Sequence, residues 1–420
     1  MSTIEVARRR GTRIAIALVA ALALSACGSD DDATDTADAD GQAAGAEQTT
    51  TTPDETTGGD ADGDAPGSTD DGSDDATDGG DGPSPYDGVV AEPPAEAPEP
   101  VADQSVWVVS CGEQVVTCST PSEAVVEASE AVGWSAQICD GQLNPQGWSD
   151  CIRQGASSGG DAIVTIGVDC VAVSAALAEA AAAGITTINV GATDCDIVGE
   201  DPLYSGVVPK LEGLTAEEWW GQMGALQADW VIEQTGGEAR VLLLEFTDPL
   251  WGPWLATGFA DRLATCDGCE IAATLEVTNQ DVTGGSLVTR FSTTLVEQAD
   301  ANAVVVPIDG WFLAGLAQAI GESGRSDELA VIGQGGTAAN FDLIREDRGQ
   351  DATVAFSLGW DGWSGIDALV RVLAGEEVVA GGVGHQVVDA DHNLPEPGDA
   401  FRYVPEVAFE DAYLAAWGVS

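Results

Sequence analysis

The chain has almost no positive charge. Of its 420 residues only 14 are Lys or Arg, against 71 Asp or Glu, for a formal net charge of -57. Lys210 is the single lysine, and Arg8, Arg9, Arg10 and Arg13 crowd into the first thirteen positions. Phosphate binding needs a Lys/Arg footprint, so nucleic acid is excluded as a partner. Docking of the protein body onto anionic lipid is disfavoured for the same reason. Histidine is scarce as well: His385 and His392 are the only two. The sequence contains no HExxH, no GxSxG and no phosphate loop ending in GK[ST]. No metal, no cofactor and no catalytic residue is expected. Carboxylate pairs are plentiful by composition alone, so counting leaves a glycosidase dyad open.

Long apolar runs are scarce too. Ile14 to Leu24 is the one strong run near the N-terminus, and it falls short of the ~20 residues a spanning helix needs. With the arginines before it, residues 1–26 read as a secretory signal. The run ends in Leu24-Ser25-Ala26-Cys27-Gly28, which resembles the lipobox of bacterial lipoproteins. That resemblance implies removal of the signal and diacylation of Cys27. The expected membrane attachment is then a lipid anchor on the outer face of the cell membrane. An ordinary secretory signal with a free Cys27 is the alternative.

Residues 27–100 hold 22 acids, no base and one aromatic residue, Tyr86. Such a segment buries too little apolar surface to offset chain entropy and is expected to be a disordered acidic tether. Its end, Glu92 to Pro100, is rich in Pro and should be a stiffer spacer. Whether the tether binds anything is left open, a calcium sponge being one alternative.

All twelve Trp lie beyond residue 100, where the apolar runs begin. Short β-branched runs at 106–110, 162–168, 186–190, 240–246, 303–308 and 330–333 suit strands buried on both faces of a parallel sheet. Helical patterns lie between them, at 121–132, 171–183, 216–234, 254–264, 286–298, 312–320 and 365–374. Alternation at this spacing predicts an α/β fold of two doubly wound lobes with parallel sheets.

Several segments carry a family resemblance. They are Gly160-Asp161-Ala162-Ile163-Val164-Thr165-Ile166-Gly167-Val168-Asp169, Ala182-Ala183-Gly184-Ile185-Thr186-Thr187-Ile188, Pro307-Ile308-Asp309-Gly310-Trp311-Phe312-Leu313-Ala314-Gly315-Leu316, Val331-Ile332-Gly333-Gln334-Gly335-Gly336, and Trp360 to Leu373 with Gly375-Glu376. In this order they resemble the type I periplasmic binding proteins, in particular the sugar-binding branch that serves ABC importers. The resemblance implies two Rossmann-like lobes joined by a three-strand hinge, with solute held between them. It implies a domain over 101–420, lobe 1 at about 103–208 plus 358–383 and lobe 2 at about 210–356 plus the C-terminal segment. The lipoprotein anchor fits, since Gram-positive cells tether their solute receptors this way.

In open parallel sheets ligands bind beyond the carboxyl ends of strands. Carried over strand by strand, the family pattern offers Ser110, Glu113, Asp169, Thr247, Asp248, Trp251, Trp254, Asp309, Trp311, Gln334 and Trp360 as ligand-binding residues. Asp169 and Asp309 could instead cap helices. Trp107 on a strand, and Trp219 and Trp220 on a helix, read as packing. The sequence also departs from the family: Gln334 and Gly335 replace a Phe-Asp pair, and Cys170 stands where many sugar receptors have Arg. No base falls at any of these strand ends, whereas an anion would call for one. The solute is therefore expected to be neutral and sugar-like, or a cation held over aromatic rings.

With Cys27 lipidated, eight cysteines remain, an even number in an exported chain, which implies disulfides. Eight allow 105 connectivities. Local pairing is the economical one: Cys111–Cys118, Cys139–Cys151, Cys170–Cys195 and Cys266–Cys269. The lone CxxC at 266–269 has no second half for zinc. The expected protein is a monomeric receptor partnered by ABC permease subunits. A same-fold receptor for signalling, or an exported hydrolase or wall protein, are the alternatives. A transcriptional repressor with the same lobes would need a helix-turn-helix, and here the N-terminus is an export signal.

Overall fold

The computed structural model describes residues 84–419. The signal segment, Cys27 and the tether to residue 83 lie outside the described residues. The first apolar run forms β1 (Ser105–Ser110), followed by α1 (Val116–Ala131), β2 (Ser135–Asp140), α2 (Pro145–Ser158), β3 (Ala162–Ile166), α3 (Cys170–Ala182), β4 (Thr186–Val190) and β5 (Gly206–Val207). Every residue of β3 is buried, as expected of a strand covered on both faces. The five strands pair in parallel in the order β2-β1-β3-β4-β5. α1 starts upstream of Pro121, because Val115 O already accepts from Cys118 N (2.8 Å) and Ser119 N (2.9 Å).

The second lobe opens with α4 (Ala216–Gln234), whose Thr215 and Glu218 form a capping box. Then come β6 (Arg240–Phe246), α5 (Trp251–Leu263), β7 (Glu270–Val277), α6 (Asn279–Thr283), α7 (Leu287–Glu297), β8 (Ala303–Val305), α8 (Ala317–Ser323), β9 (Ala330–Gly335), α9 (Ala338–Arg345) and β10 (Ala352–Ala355). After α10 (Leu358–Ala374) and β11 (Gln386–Asp389), α11 (Phe409–Ala416) closes the chain. The second sheet runs β11-β10-β9-β8-β6-β7, all parallel except the β10–β11 pair. Read from its other end, it repeats the strand order of the first sheet.

α10 belongs physically to lobe 1, where it packs on α1 and β4. Its Gly362 permits this: a Cβ there would meet Ala124 Cβ at 2.6 Å. The chain therefore crosses between the lobes three times, after β5, before α10 and before β11. The first and third crossings are tied by Gly381 N to Pro209 O and Gly382 N to Lys210 O, both 2.9 Å.

Two boundaries differ from the expectation. Residues 84–100, expected within the disordered tether, lie along the third crossing. Val89 and His385 exchange backbone hydrogen bonds of 2.8 Å, and Ala91 N donates to Gly382 O (3.3 Å). Tyr86 Oη donates to Asp389 (2.8 Å), and Arg371 reaches Glu96 O (2.6 Å). A hinge strand with open backbone groups supplies partners that apolar content could not. The C-terminal segment, expected with lobe 2, stacks Trp417 on Trp363 of α10 with ring centroids 5.6 Å apart. The four disulfides are Cys111–Cys118, Cys139–Cys151, Cys170–Cys195 and Cys266–Cys269. No helix among the described residues is long and apolar enough to cross a membrane.

Candidate ligand-binding cleft

The carboxyl ends of the two sheets face each other across a cleft of about 710 Å³. Lobe 1 contributes the loop after β1, the start of α2 and the turns after β3 and β4. Lobe 2 contributes the turn from β6 into α5, α6 and the end of β9. Aromatic walls come from Trp148, Trp220, Phe246, Trp251 and Phe356. Trp220 and Trp251 are stacked, 4.6 Å between centroids, so α4 and α5 present one joined aromatic surface. The polar groups are Thr117, Asn144, Asp169, Lys210, Asp248, Asn279, Gln280, Thr283, Gln334 and Asp361. Mostly apolar walls with a few convergent polar groups are the ordinary make-up of a small-molecule site.

Asp169 follows β3 and makes no capping bond to α3. Its Oδ1 accepts from Thr193 N (3.0 Å) and Thr193 Oγ1 (2.8 Å), and its Oδ2 faces Leu250 N of the other lobe at 3.5 Å. Burial pushes its carboxyl above the ordinary value, partly offset by these donors. One carboxylate thus touches both lobes. Asp248 lies at the turn after β6 and accepts from Asn279 N (2.5 Å). Gln334 is 4% exposed at the end of β9. Trp254 stands one helical turn from Trp251 and lines a smaller chamber of about 240 Å³ beside the cleft. Among the residues expected at the site, the structure brings Asp169, Asp248, Trp251 and Gln334 to the cleft and Trp254 to that chamber.

Six others lie outside the lining. Asp309 is fully buried in lobe 2, accepting from Gly336 N (2.7 Å), Gln350 (2.8 Å) and Thr353 (2.9 Å). It ties β9 and β10 to the loop after β8, and burial pushes its carboxyl up to about 6. Trp311 packs edge-on against Phe246 in the lobe 2 core, 5.2 Å between centroids. Trp360 is 0% exposed because α10 begins at Leu358, which turns the indole inward to Gly381 O (2.8 Å) and Tyr413 Oη (3.2 Å). Ser110 is buried at the end of β1 and accepts from Gly112 N (3.3 Å). Glu113 has one carboxylate oxygen buried and unpartnered within its loop. Thr247 turns its hydroxyl to Val277 O (3.3 Å).

The cleft also holds residues the strand-end rule does not reach. Trp220 lines it although its helix reads as core, since adjacent helical positions face different directions. Lys210, the only lysine, sits in the first crossing, and its ammonium is paired with Asp361 of α10. Their side chains are 9% and 7% exposed. Lys210 Nζ also stands 5.4 Å from the Trp219 ring centre and 5.7 Å from that of Phe356. The candidate strand ends supply no base, but the first crossing brings Lys210 to the cleft. The charge argument survives, because Asp361 neutralises Lys210 while Asp169 and Asp248 remain.

These features define a two-lobed α/β protein with a cleft between its lobes, the architecture of the type I periplasmic binding proteins. The periplasmic binding protein domain family matches residues 118–377, and the chain belongs to that family. Among solved structures it is similar to an ABC transporter solute-binding protein from Mycobacterium smegmatis with bound glycerol, at 18% identity and a TM-score of 0.60, over 71% of this chain and 99% of that one. It is also similar to GanP, a glucose-galactose binding protein from Geobacillus stearothermophilus, at 16% identity and a TM-score of 0.59, over 70% and 100%. A third is the arabinose transporter component from Shewanella sp. ANA-3 bound to L-arabinofuranose, at 20% identity and a TM-score of 0.57, over 68% and 92%. No curated protein sequence matches the chain.

Proposed function

We propose that this protein is a lipid-anchored extracytoplasmic receptor that captures a small neutral solute, a sugar foremost, and delivers it to an ABC permease. The observation that carries this reading is the interlobe cleft, with stacked Trp faces on one lobe and carboxylate and amide groups drawn from both. Aromatic faces hold the apolar face of a sugar ring, and Asp169, Asp248 and Gln334 offer hydrogen bonds to its hydroxyls. The solved structures with similar folds include sugar and polyol binders, which supports the same solute class here. An anion is disfavoured, since the one base of the cleft already has a carboxylate partner.

The mechanism is binding without bond making. The open form admits solute, the hinge closes, and contacts from both lobes hold the closed form that a permease recognises. Cys27 fixes the monomeric receptor to the membrane, and the acidic segment after it gives reach. Calorimetric titration with pentoses, hexoses, polyols and quaternary-ammonium ligands tests the solute class. Tight binding of a sugar or polyol is expected. Tight binding only of a phosphate ester or dicarboxylate would overturn it. Replacing Cys27 with Ser should release the protein from membranes into the medium.

A further inference from the structure

We propose that the solute is an extended one of two joined rings, a disaccharide or a glycoside of that length, whose second ring sits in the Trp-lined chamber beside the cleft. This rests on the sugar reading of the cleft and sharpens it to a size of substrate. The cleft and the chamber, about 710 and 240 Å³, share one wall: Asp169, Gly191, Lys210, Trp220 and Trp251 line both. Beyond that wall Trp219 and Trp254 continue the aromatic surface into the chamber. On the cleft side Phe246 and Phe356 continue it the other way. The aromatic surface therefore runs through both cavities, and the shared wall adds the polar groups of Asp169 and Lys210 between them.

The polar stretch has unused hydrogen-bonding capacity. An ammonium has three donors, and Lys210 gives one to Asp361 Oδ1. Among the described residues the other two, and Asp361 Oδ2, have no hydrogen-bond partner. Both residues line the cleft, so an occupant can take up that capacity. Gly191, at φ 78°, passes over the pair, and a Cβ there would stand 3.6 Å from Asp361 Oδ2 and 3.9 Å from Lys210 Nζ. The absence of a side chain leaves that junction open. Two linked sugar rings match this order: a ring face, a bridging ether oxygen with flanking hydroxyls, and a second ring face. The bridging oxygen only accepts, which suits Lys210, and a flanking hydroxyl donates to Asp361. Both cavities draw walls from both lobes, so one closing motion encloses both rings.

The test is calorimetry on the whole protein with glucose, galactose and arabinose against maltose, cellobiose, lactose and trehalose. Ala216→Trp, on the exposed first turn of α4, fills the chamber without touching the cleft. Trp254→Ala removes one of the two tryptophans that line the chamber but not the cleft. A disaccharide should bind at least ten-fold more tightly than its component monosaccharides. Each variant should erase that advantage, and Ala216→Trp should leave monosaccharide affinity within about two-fold. Monosaccharide binding as tight as any disaccharide, unchanged in both variants, overturns this proposal and leaves the sugar reading standing. No binding by sugars of either size overturns both.

Discussion

Lys210 and Asp361 show how a single residue sets the electrostatics of the cleft. Removing one partner of a buried pair leaves the other charge uncompensated, at a cost of about 3–5 kcal/mol. Lys210→Met should therefore lower the denaturant midpoint sharply, and the double variant with Asp361→Leu should recover most of the loss without recovering solute affinity. Equal stability of the single and double variants would show that the pair is not coupled. His385, buried in the third crossing, leaves both ring nitrogens unpartnered, and burial pushes it down to about 4. Between pH 6.5 and 4 the unfolded chain binds the extra proton, so this residue's contribution is full above 6.5 and is lost as pH falls. The loss approaches about 3 kcal/mol and levels off below the folded value. Asp309 and Asp351, both pushed up to about 6 by burial, act in the opposite sense, retaining protons that the unfolded chain releases. The measurement is thus the stability difference between wild type and His385→Phe against pH. It should be constant above 6.5 and shift in favour of the variant below; a constant difference throughout would refute the assignment. At this scale the strand-end rule located Asp169, Asp248 and Gln334 on the cleft. It misplaced Asp309 and Trp311 because it fixes where a backbone lies and not where a side chain turns. It passed over Lys210 because a hinge crossing has no strand-end pattern.

At the scale of elements, legibility followed burial. β4 and β6 lie where the β-branched and apolar runs put them, and β1 and β3 nearly so, because these strands are buried at almost every position. β2 and β7 end their sheets and interleave exposed residues with covered ones, so no apolar run marks them. α10 starts seven residues before its apolar pattern suggests, at Leu358, where Ser357 accepts from Trp360 N (3.3 Å). Its contact with α1 depends on Gly362. Gly362→Ala improves helix propensity by about 1 kcal/mol, but the new methyl meets Ala124 and the Pro121 carbonyl. Overpacking of this kind costs about 1–3 kcal/mol, so the variant should melt lower; a higher melting temperature would mean the helices separate freely. Residues 84–91 lie beside the hinge, bridged to it at Val89 and His385. Deleting them should raise amide exchange at 382–386, where Val89 and Ala91 now hold the backbone. Unchanged exchange there would reduce the segment to a passenger.

For the whole molecule the deficit of positive charge becomes a statement about stability. Beyond residue 100 there are ten bases and 48 acids. Each of the ten, Lys210 and nine arginines from Arg153 to Arg402, already pairs with a carboxylate. The excess of 38 negative charges therefore has no internal counter-charge. Most of the pairs are exposed, and such pairs contribute about 0–1 kcal/mol each. Self-repulsion among the remaining carboxylates opposes the compact state over longer distances. Salt acts on both, but repulsion ranges further than a contact pair and is screened first, the Debye length falling from about 30 Å at 0.01 M to about 3 Å at 1 M. Sodium chloride should accordingly raise the melting temperature over that range, most steeply at the low end. Lys210–Asp361 and Arg371–Asp367, with side chains at most 9% exposed, should be little affected. A melting temperature that falls with salt would show that the exposed arginine pairs, and not the unpaired acids, govern the charge balance of the fold.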